Sequence, residues 1–84
     1  MADLKGLIEA VARALADQPE AVSVRESERR GATVYELQVA SGDLGRVIGR
    51  QGRTAAALRT LLASAAEADD KRVSLDIRDQ TGRS

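Results

Sequence analysis

The spacing of apolar residues predicts three helices and three strands. From Asp3 to Asp17, apolar positions recur at helical intervals, with Asp3 as the N-cap and Pro19 ending the helix. Elsewhere, alternation of apolar and polar residues predicts strands. A five-residue segment after a Ser-Gly-Asp break is long enough for one helical turn, and an alanine-rich stretch predicts a longer helix. The remaining predicted elements are a strand at Ala21–Glu28, a strand at Thr33–Ala40, a short helix at Leu44–Ile48, a loop at Gly49–Gly52, a helix at Arg53–Ala66 and a strand at Lys71–Arg78.

The first two strands flank the polar turn 28–32, which predicts an antiparallel hairpin with Gly31 at a positive φ. Within the second strand, one face carries Thr33, Tyr35, Leu37 and Val39, and Tyr35 is expected in the core. Three amphipathic strands need one covered face, and three helices are available to cover it. The fold class expected is therefore α+β, a two-layer sandwich with the helices on one face of a three-stranded sheet.

Length and composition narrow the function classes. The chain has 84 residues, and we expect a single domain at residues 1–78 followed by a polar tail at residues 79–84. It contains no cysteine and no histidine, so thiolate zinc sites and Cys or His catalysis are excluded. No apolar run approaches the roughly 20 residues of a membrane span. We expect a cytoplasmic protein, not an enzyme, with no metal and no cofactor.

Positive charge is concentrated in one segment although the net charge is zero. Residues 44–66 contain no Asp or Glu and four arginines, Arg46, Arg50, Arg53 and Arg59. The same segment holds Gly49 and Gly52, three positions apart between two predicted helices. Glycine lets a phosphate approach the backbone, and a following helix N-terminus favours an anion. Other phosphate-binding patterns are absent, since the chain has neither a Walker A loop nor a G-x-G-x-x-G sequence.

The run Val47-Ile48-Gly49-Arg50-Gln51-Gly52-Arg53 resembles the signature of the K-homology (KH) domain, and the predicted element order α-β-β-α-α-β matches its type II form. The longer run Gly45–Thr54, followed by residues 57–60, is similar to the small bacterial single-KH proteins of the KhpA/YlqC family. This resemblance implies a GXXG loop that clamps about four nucleotides of single-stranded RNA. It makes Gly49 and Gly52 the clamp glycines, makes Arg50 and Gln51 the pair that faces the phosphates and places Ile48 at the edge of the base groove. The residues themselves add Arg46 and Arg53 as guanidinium contacts to phosphate and Val47 as part of an apolar groove floor, so the predicted RNA-binding residues are Arg46, Val47, Ile48, Gly49, Arg50, Gln51, Gly52 and Arg53.

The resemblance also implies a cytoplasmic RNA chaperone or post-transcriptional regulator. The implied partners are single-stranded RNA and either a second copy, forming a homodimer, or a larger KH-containing RNA-binding protein, forming a heterodimer. An alternative is a KH-fold protein-interaction module that acts mainly through such a partner. Neutral net charge and the alanine-rich helix favour this alternative.

Several residues have a second interpretation. Gly49 and Gly52 are also compatible with a plain helix-to-helix turn, and the arginines with a solvated helix face. One of Val47 and Ile48 is expected in the core. Arg59 fits either a phosphate contact or a solvated face. The alanines of the last helix reflect either helix propensity or a dimer interface.

Overall fold

The computed structural model describes residues 3–68 and 72–80, and within them the helices and strands follow the predicted order. The α+β class and the element order of the type II KH fold are confirmed. Three short 3-10 turns, at Pro19–Ala21, Ser41–Asp43 and Arg50–Gly52, join the elements. The helices are α1 (Leu4–Leu15), α2 (Leu44–Ile48) and α3 (Arg53–Ala68), and the strands are β1 (Ser23–Arg29), β2 (Ala32–Val39) and β3 (Arg72–Asp79).

The sheet has the order β1-β2-β3, with β2 in the centre. Strands β1 and β2 form the predicted antiparallel hairpin, in which Val24 pairs with Leu37. Its tight turn places Arg30 at φ 53° and Gly31 at φ 79°, a left-handed pair suited to a two-residue hairpin. Strand β3 runs parallel to β2 on the other side. A parallel pair needs a crossover connection, and the α2–loop–α3 segment provides it.

The core lies between the three helices and one face of the sheet. The sheet contributes Tyr35, Leu37 and Val39 from β2, as the alternation predicted, together with side chains from its neighbours. The helices contribute residues that include Ile8, Val47, Leu58 and Leu62. The opposite face carries cross-strand rows of polar residues, such as Arg25–Glu36–Asp76, which are partly or fully exposed. Helices therefore cover one face, as expected.

Tyr35 is a core residue, as predicted, and only 6% of it is exposed. Burial raises the pKa of its phenol above the ordinary value, because the phenolate would lose its hydration. The negative charge of Glu26 and a hydrogen bond to its side chain raise the pKa further. Tyr35 is therefore a neutral, partnered core side chain with no exposed ring for stacking.

Helix α1 begins after Asp3, whose carboxylate accepts a hydrogen bond from the Gly6 amide at 3.0 Å, so the predicted N-cap is confirmed. The helix ends at Leu15, two residues earlier than predicted. The cause is Asp43, which is 2% exposed and accepts hydrogen bonds from the amides of Asp17 (3.1 Å) and Gln18 (2.9 Å). Because Pro19 then starts a 3-10 turn, β1 begins at Ser23, later than the predicted Ala21.

The end of β3 and the buried face of α3 also differ from the sequence-based expectation. Strand β3 extends to Asp79, which pairs with Val39 and is 7% exposed, although it was expected to begin the polar tail. Helical spacing in the last helix predicts one apolar face with Ala55, Leu58, Leu61, Leu62 and Ala65. Leu61 is instead 54% exposed, because α3 buries the line Ala55, Leu58, Leu62 and Ala66. Lys71 and residues 81–84 of the predicted tail lie outside the described residues.

Within the part of the chain that the structure describes, no helix combines the length and the apolar character that a membrane span requires.

Candidate nucleic-acid interface

The segment between α2 and α3 turns sharply at Gly49. Its backbone has φ 83° and ψ 169°, a conformation that is nearly restricted to glycine. A Cβ at this position would collide with Oγ1 of Thr54 and lie 3.0 Å from the Thr54 backbone nitrogen. The Gly49 amide donates to the Gly45 carbonyl at 3.0 Å and so closes α2. Both the backbone angle and the close approach of Thr54 therefore require glycine.

The next residues form a tight left-handed turn. Gln51 has φ 57° and Gly52 has φ 72°, and the Gly52 amide donates to the Gly49 carbonyl at 3.0 Å. A left-handed conformation costs a residue with a side chain roughly 1–2 kcal/mol. Non-glycine residues in such strained conformations cluster at ligand-binding sites. The turn presents the exposed side chains of Arg50 and Gln51 to solvent.

Arg46 is not an isolated cation. Its Nε lies 3.7 Å from Oδ1 of Asp43, and its Nη2 lies 3.8 Å from Oδ2 of Asp17. Because residues 44–66 contain no Asp or Glu, the sequence predicts that Arg46 has no carboxylate neighbour. That expectation is wrong for Arg46, because the end of α1 and the start of α2 bring two carboxylates to it. Its side chain is still 58% exposed.

Arg50 and Arg53 have different surroundings. Arg50 is exposed and forms no hydrogen bond or ion pair with any residue in the described ranges. Arg53 donates from Nη2 to Oε1 of Gln51 at 3.4 Å across the turn. No carboxylate of the described residues lies within ion-pair distance of either guanidinium. These two arginines therefore carry the accessible positive charge of the loop.

Val47 and Ile48 differ in burial, and one of them lies in the core, as expected. Val47 is fully buried in the core, which anchors the short helix α2 against the sheet. Ile48 is only partly buried and faces a groove beside the loop. One aliphatic side chain of the motif is therefore in the core and the other lines the groove.

The groove runs from the loop between α3 and β3 and has a volume of about 340 Å³. It brings Ile48 and Gly52 of the predicted site together with residues that sequence reasoning did not assign to it. Arg59 donates from Nη2 to the Leu75 carbonyl at 3.1 Å, which holds its guanidinium at the β3 wall. The residues lining the groove are Ile48, Gly52, Ala55, Ala56, Arg59, Asp76 and Ile77.

Only some of the residues that line the groove could be recognised from the sequence. Ala55 and Ala56 follow the loop directly, and their small size was noted only as helix propensity or a dimer contact. Arg59 was an open choice between phosphate contact and solvated face. Asp76 and Ile77 gave no local signal, because parallel pairing with β2 places them beside a loop more than 20 positions away in the chain.

A larger hollow of about 900 Å³ lies elsewhere, at β1 and the polar face of the sheet. Its lining is mostly polar and mixed in charge, including Arg25, Glu36 and Arg78, and it contains none of the predicted site residues. The smaller groove is the candidate site because it joins the loop to the sheet. Among residues 3–68 and 72–80, no group of three or more acidic side chains is placed to hold a metal ion.

The fold resembles part of a protein, Era, whose structure has been solved in complex with RNA. The structure of Era in complex with MgGDPNP and nucleotides 1506–1542 of 16S ribosomal RNA superposes with a TM-score of 0.54 and 16% identity. The match covers 90% of this chain and 29% of the Era chain. At this identity the likeness shows the fold alone.

Three curated relatives have higher sequence identity to this chain than Era does. "RNA-binding protein KhpA" of Chlamydia trachomatis is 42% identical over 77 residues, covering 92% of this chain and 99% of the relative. The protein of the same name from Treponema pallidum is 49% identical over 73 residues, covering 87% and 91%. That of Caldanaerobacter subterraneus is 46% identical over 71 residues, covering 84% and 95%. These are RNA-binding proteins and not enzymes, which confirms the expectation of a non-enzymatic chain.

The family profile described as "KhpA/KhpB, KH domain" matches residues 5–77, nearly all of the described fold. The match includes the Gly49–Gly52 turn, the groove and strand β3 as far as Ile77. The resemblance noted in the sequence is thereby confirmed, and the chain belongs to the KhpA/KhpB family of KH-domain proteins.

Proposed function

We propose that this protein binds short single-stranded RNA across the Gly49–Gly52 loop and the adjoining groove. The observation that carries this proposal is the continuity of the two features: Ile48 and Gly52 belong to the loop region and also line the groove. A strand of RNA on this surface would have phosphates at the loop and bases in the groove. The names of the relatives as RNA-binding proteins support RNA as the ligand.

Phosphates would be held by the loop. Among the residues that the structure describes, Arg50 has no protein partner and Arg53 has no carboxylate neighbour, so neither must break such an ion pair before binding an anion. The amides of Gly49 and Gly52 are used within the turn, whereas those of Arg50 and Gln51 take no part in these turn hydrogen bonds. Guanidinium and amide donors together suit phosphate oxygens. Few phosphate contacts predict a shallow salt dependence. The logarithm of the binding constant should fall with the logarithm of the salt concentration, with a slope of about −0.7 per neutralised phosphate.

Bases would lie over an aliphatic floor. Ile48, Ala55, Ala56 and Ile77 give the groove apolar walls without an aromatic ring. The only aromatic residue of the chain, Tyr35, is buried in the core. Binding by shape and by aliphatic contact, without ring stacking, fits the KH mode rather than that of readers that stack bases on aromatic side chains.

The cellular role that we propose is that of a cytoplasmic RNA chaperone or post-transcriptional regulator. A small domain with one short groove has limited affinity by itself, so assembly with a second RNA-binding unit would raise it through avidity. We propose as partner either a second copy or a larger KH-containing RNA-binding protein. The exposed Leu61 on α3, in line with exposed Ala57, offers an apolar patch for such a contact.

The test is RNA affinity measured by fluorescence anisotropy for the wild type and the double variant Arg50→Asp/Gln51→Asp. Aspartate tolerates the left-handed conformation at position 51, so the fold should persist. A matched control is Arg29→Gln/Arg30→Asp, which makes the same change in net charge at the exposed hairpin turn. Loss of binding in the loop variant, with binding kept in the control, is expected. Equal affinities in all three folded proteins would contradict the loop assignment.

The alternative function is a protein-interaction module, favoured by the 54% exposure of Leu61. Sedimentation over a concentration series, with wild type and Leu61→Asp, tests it. A concentration-dependent dimer that Leu61→Asp dissolves would support the interaction surface. The two functions are compatible, since the Leu61 patch and the groove-lining residues are different positions on α3.

A further inference from the structure

One cross-strand row on the open face of the sheet, the face away from the helices, carries two arginines and no carboxylate. Ala32 of β2 pairs with Arg29 of β1 on one side and with Arg72 of β3 on the other. Side chains of paired residues share a face of the sheet, so the two arginines flank a small side chain. Neighbouring strands lie about 4.8 Å apart, which places the two arginine backbones about 10 Å from each other. These three residues form the arginine row, a shallow trough with a cation on each side.

Both guanidiniums of the arginine row are accessible. Arg29 and Arg72 are exposed, and neither forms a hydrogen bond or ion pair with a residue in the described ranges. The next row along the strands is uncharged. The nearest carboxylates of the paired residues on this face, Glu36 and Asp76, lie with Arg25 two rows away, about 13 Å along the strands. The positive charge of the open face is therefore concentrated at the hairpin end.

The groove of the proposed function leads toward this row along β3. Among the groove-lining residues of α3, Arg59 lies farthest from the loop, and its Nη2 donates to the Leu75 carbonyl at 3.1 Å. Arg72 begins the same strand three residues before Leu75, about 10 Å further along. Because β3 is an edge strand, a chain that leaves the groove passes round it to the open face without crossing another strand. The arginine row is therefore within reach of a few nucleotides.

The chemistry of the arginine row suits phosphate. It offers two positive charges and several N–H donors, but no side-chain acceptor and no aromatic surface. On the basis of the proposed RNA-binding function, we infer that Arg29 and Arg72 bind the sugar-phosphate backbone of the RNA segment that leaves the groove beside Arg59. These contacts carry no sequence information. They lengthen the RNA site beyond the roughly four nucleotides that a KH loop and groove hold.

The experiment uses an oligouridine of about four nucleotides, alone or extended by about six abasic ribose phosphates at its 5′ or its 3′ end. The uridines occupy the groove, and the extension supplies phosphates without bases. A stacked strand advances about 3.4 Å per nucleotide, so the extension exceeds the distance of about 10 Å from Leu75 to Arg72. One end of the oligouridine leaves the groove beside Arg59, so only one of the two extensions should reach the arginine row.

Anisotropy titrations over a range of salt concentrations give the affinity of each RNA and its salt dependence. For the wild type, one extension should raise the affinity about tenfold, as expected for two charge-assisted contacts. The same extension should steepen the salt slope by about 1.4, because two more phosphates are neutralised.

Two double variants locate the effect. Arg29→Gln/Arg72→Gln should lose the gain from the extension and keep the wild-type affinity for the unextended RNA, which does not reach the row. Arg25→Gln/Arg78→Gln is the matched control. It removes two positive charges from the same face and the same two strands, but beside the carboxylates, and should keep the gain. Circular dichroism establishes that each variant is folded.

The outcomes separate this inference from the proposed function. Extensions without any gain, or with a gain that Arg29→Gln/Arg72→Gln retains, would overturn the inference and leave the proposed function standing. An equal gain from both extensions, or an equal loss in the control variant, would also overturn it, because the effect would then come from overall charge. Failure of the wild type to bind any of the RNAs would overturn the proposed function, and this inference with it.

Discussion

The side chain of Asp43 accepts a hydrogen bond from the Gln18 amide at 2.9 Å, although the two residues are 25 positions apart. A second amide, that of Asp17, binds the other carboxylate oxygen at 3.1 Å. Asp43 thus ties the end of α1 to the start of α2. The short helix α2 carries Ile48 to the groove, so this buried carboxylate positions the site without lining it.

Replacing Asp43 should therefore destabilise the protein. Asp43→Ala leaves two part-buried amides without their acceptor, at a cost of roughly 1–3 kcal/mol for a group left unsatisfied. Asp43→Asn keeps one acceptor oxygen and should lose less. Urea denaturation of both variants and the wild type measures the difference. An Ala variant as stable as the wild type would show that water replaces the carboxylate at no cost.

The two glycines of the loop should respond differently to alanine. Gly49→Ala meets both a forbidden backbone region and Thr54, and should cost about 1–3 kcal/mol of unfolding free energy. Gly52→Ala has open space around its Cβ and should cost only about 1 kcal/mol for its positive φ. Gly45→Ala, in helix α2 with open space, is the control and should stabilise slightly. Thermal denaturation ranks the stabilities of the three variants. A Gly52→Ala protein less stable than the Gly49→Ala protein would contradict the prediction.

Arg46 and Arg50 should contribute unequally to RNA affinity. Arg46 is already next to Asp43 and Asp17, so a phosphate must compete with two carboxylates for it. Arg50 has no such competitor among the described residues. Arg50→Ala should cost roughly 1.5 kcal/mol of binding free energy, a typical value for a charged hydrogen bond, and Arg46→Ala clearly less. Anisotropy titrations of both variants compare them; the reverse order would mean that RNA displaces the carboxylates.

Alkaline pH should destabilise the protein through Tyr35. Its folded-state pKa is raised, chiefly by burial, so the neutral phenol is favoured in the folded protein. This contribution is complete below the unfolded pKa of about 10 and is lost as the pH rises through the folded value. Phenolate absorbance is a clean readout, because Tyr35 is the only tyrosine and the chain has no Trp. Tyr35→Phe should remove this part of the alkaline loss of stability, and an unshifted titration of Tyr35 would contradict the prediction.

The sequence predicted the features that depend on neighbours in the chain. Alternation in Thr33–Ala40 placed β2 within one residue, and the breaks at Ser41–Asp43 and Gly49 gave the bounds of α2. The Gly49–Gly52 turn was recognisable because glycine has few substitutes there.

Features that depend on distant residues were missed. The early end of α1 follows from Asp43, and Arg46 gains a carboxylate neighbour, Asp17, from just beyond the end of α1. The β3 wall of the groove depends on parallel pairing, which the alternation of Val73, Leu75 and Ile77 does not specify. Each of these contacts closes a long loop of chain, and local periodicity does not record such contacts.

The parallel pairing of β3 with β2 also has a consequence for biosynthesis. The hairpin of β1 and β2 joins near neighbours in the chain, whereas β3 completes both the sheet and the groove wall from the far side of the crossover. Local contacts form sooner than those that close long loops. A nascent chain still holding residues 72–79 inside the ribosome therefore carries the complete Gly49–Gly52 sequence but no groove. A ligand that needs the groove wall can therefore bind only after the last strand has been released.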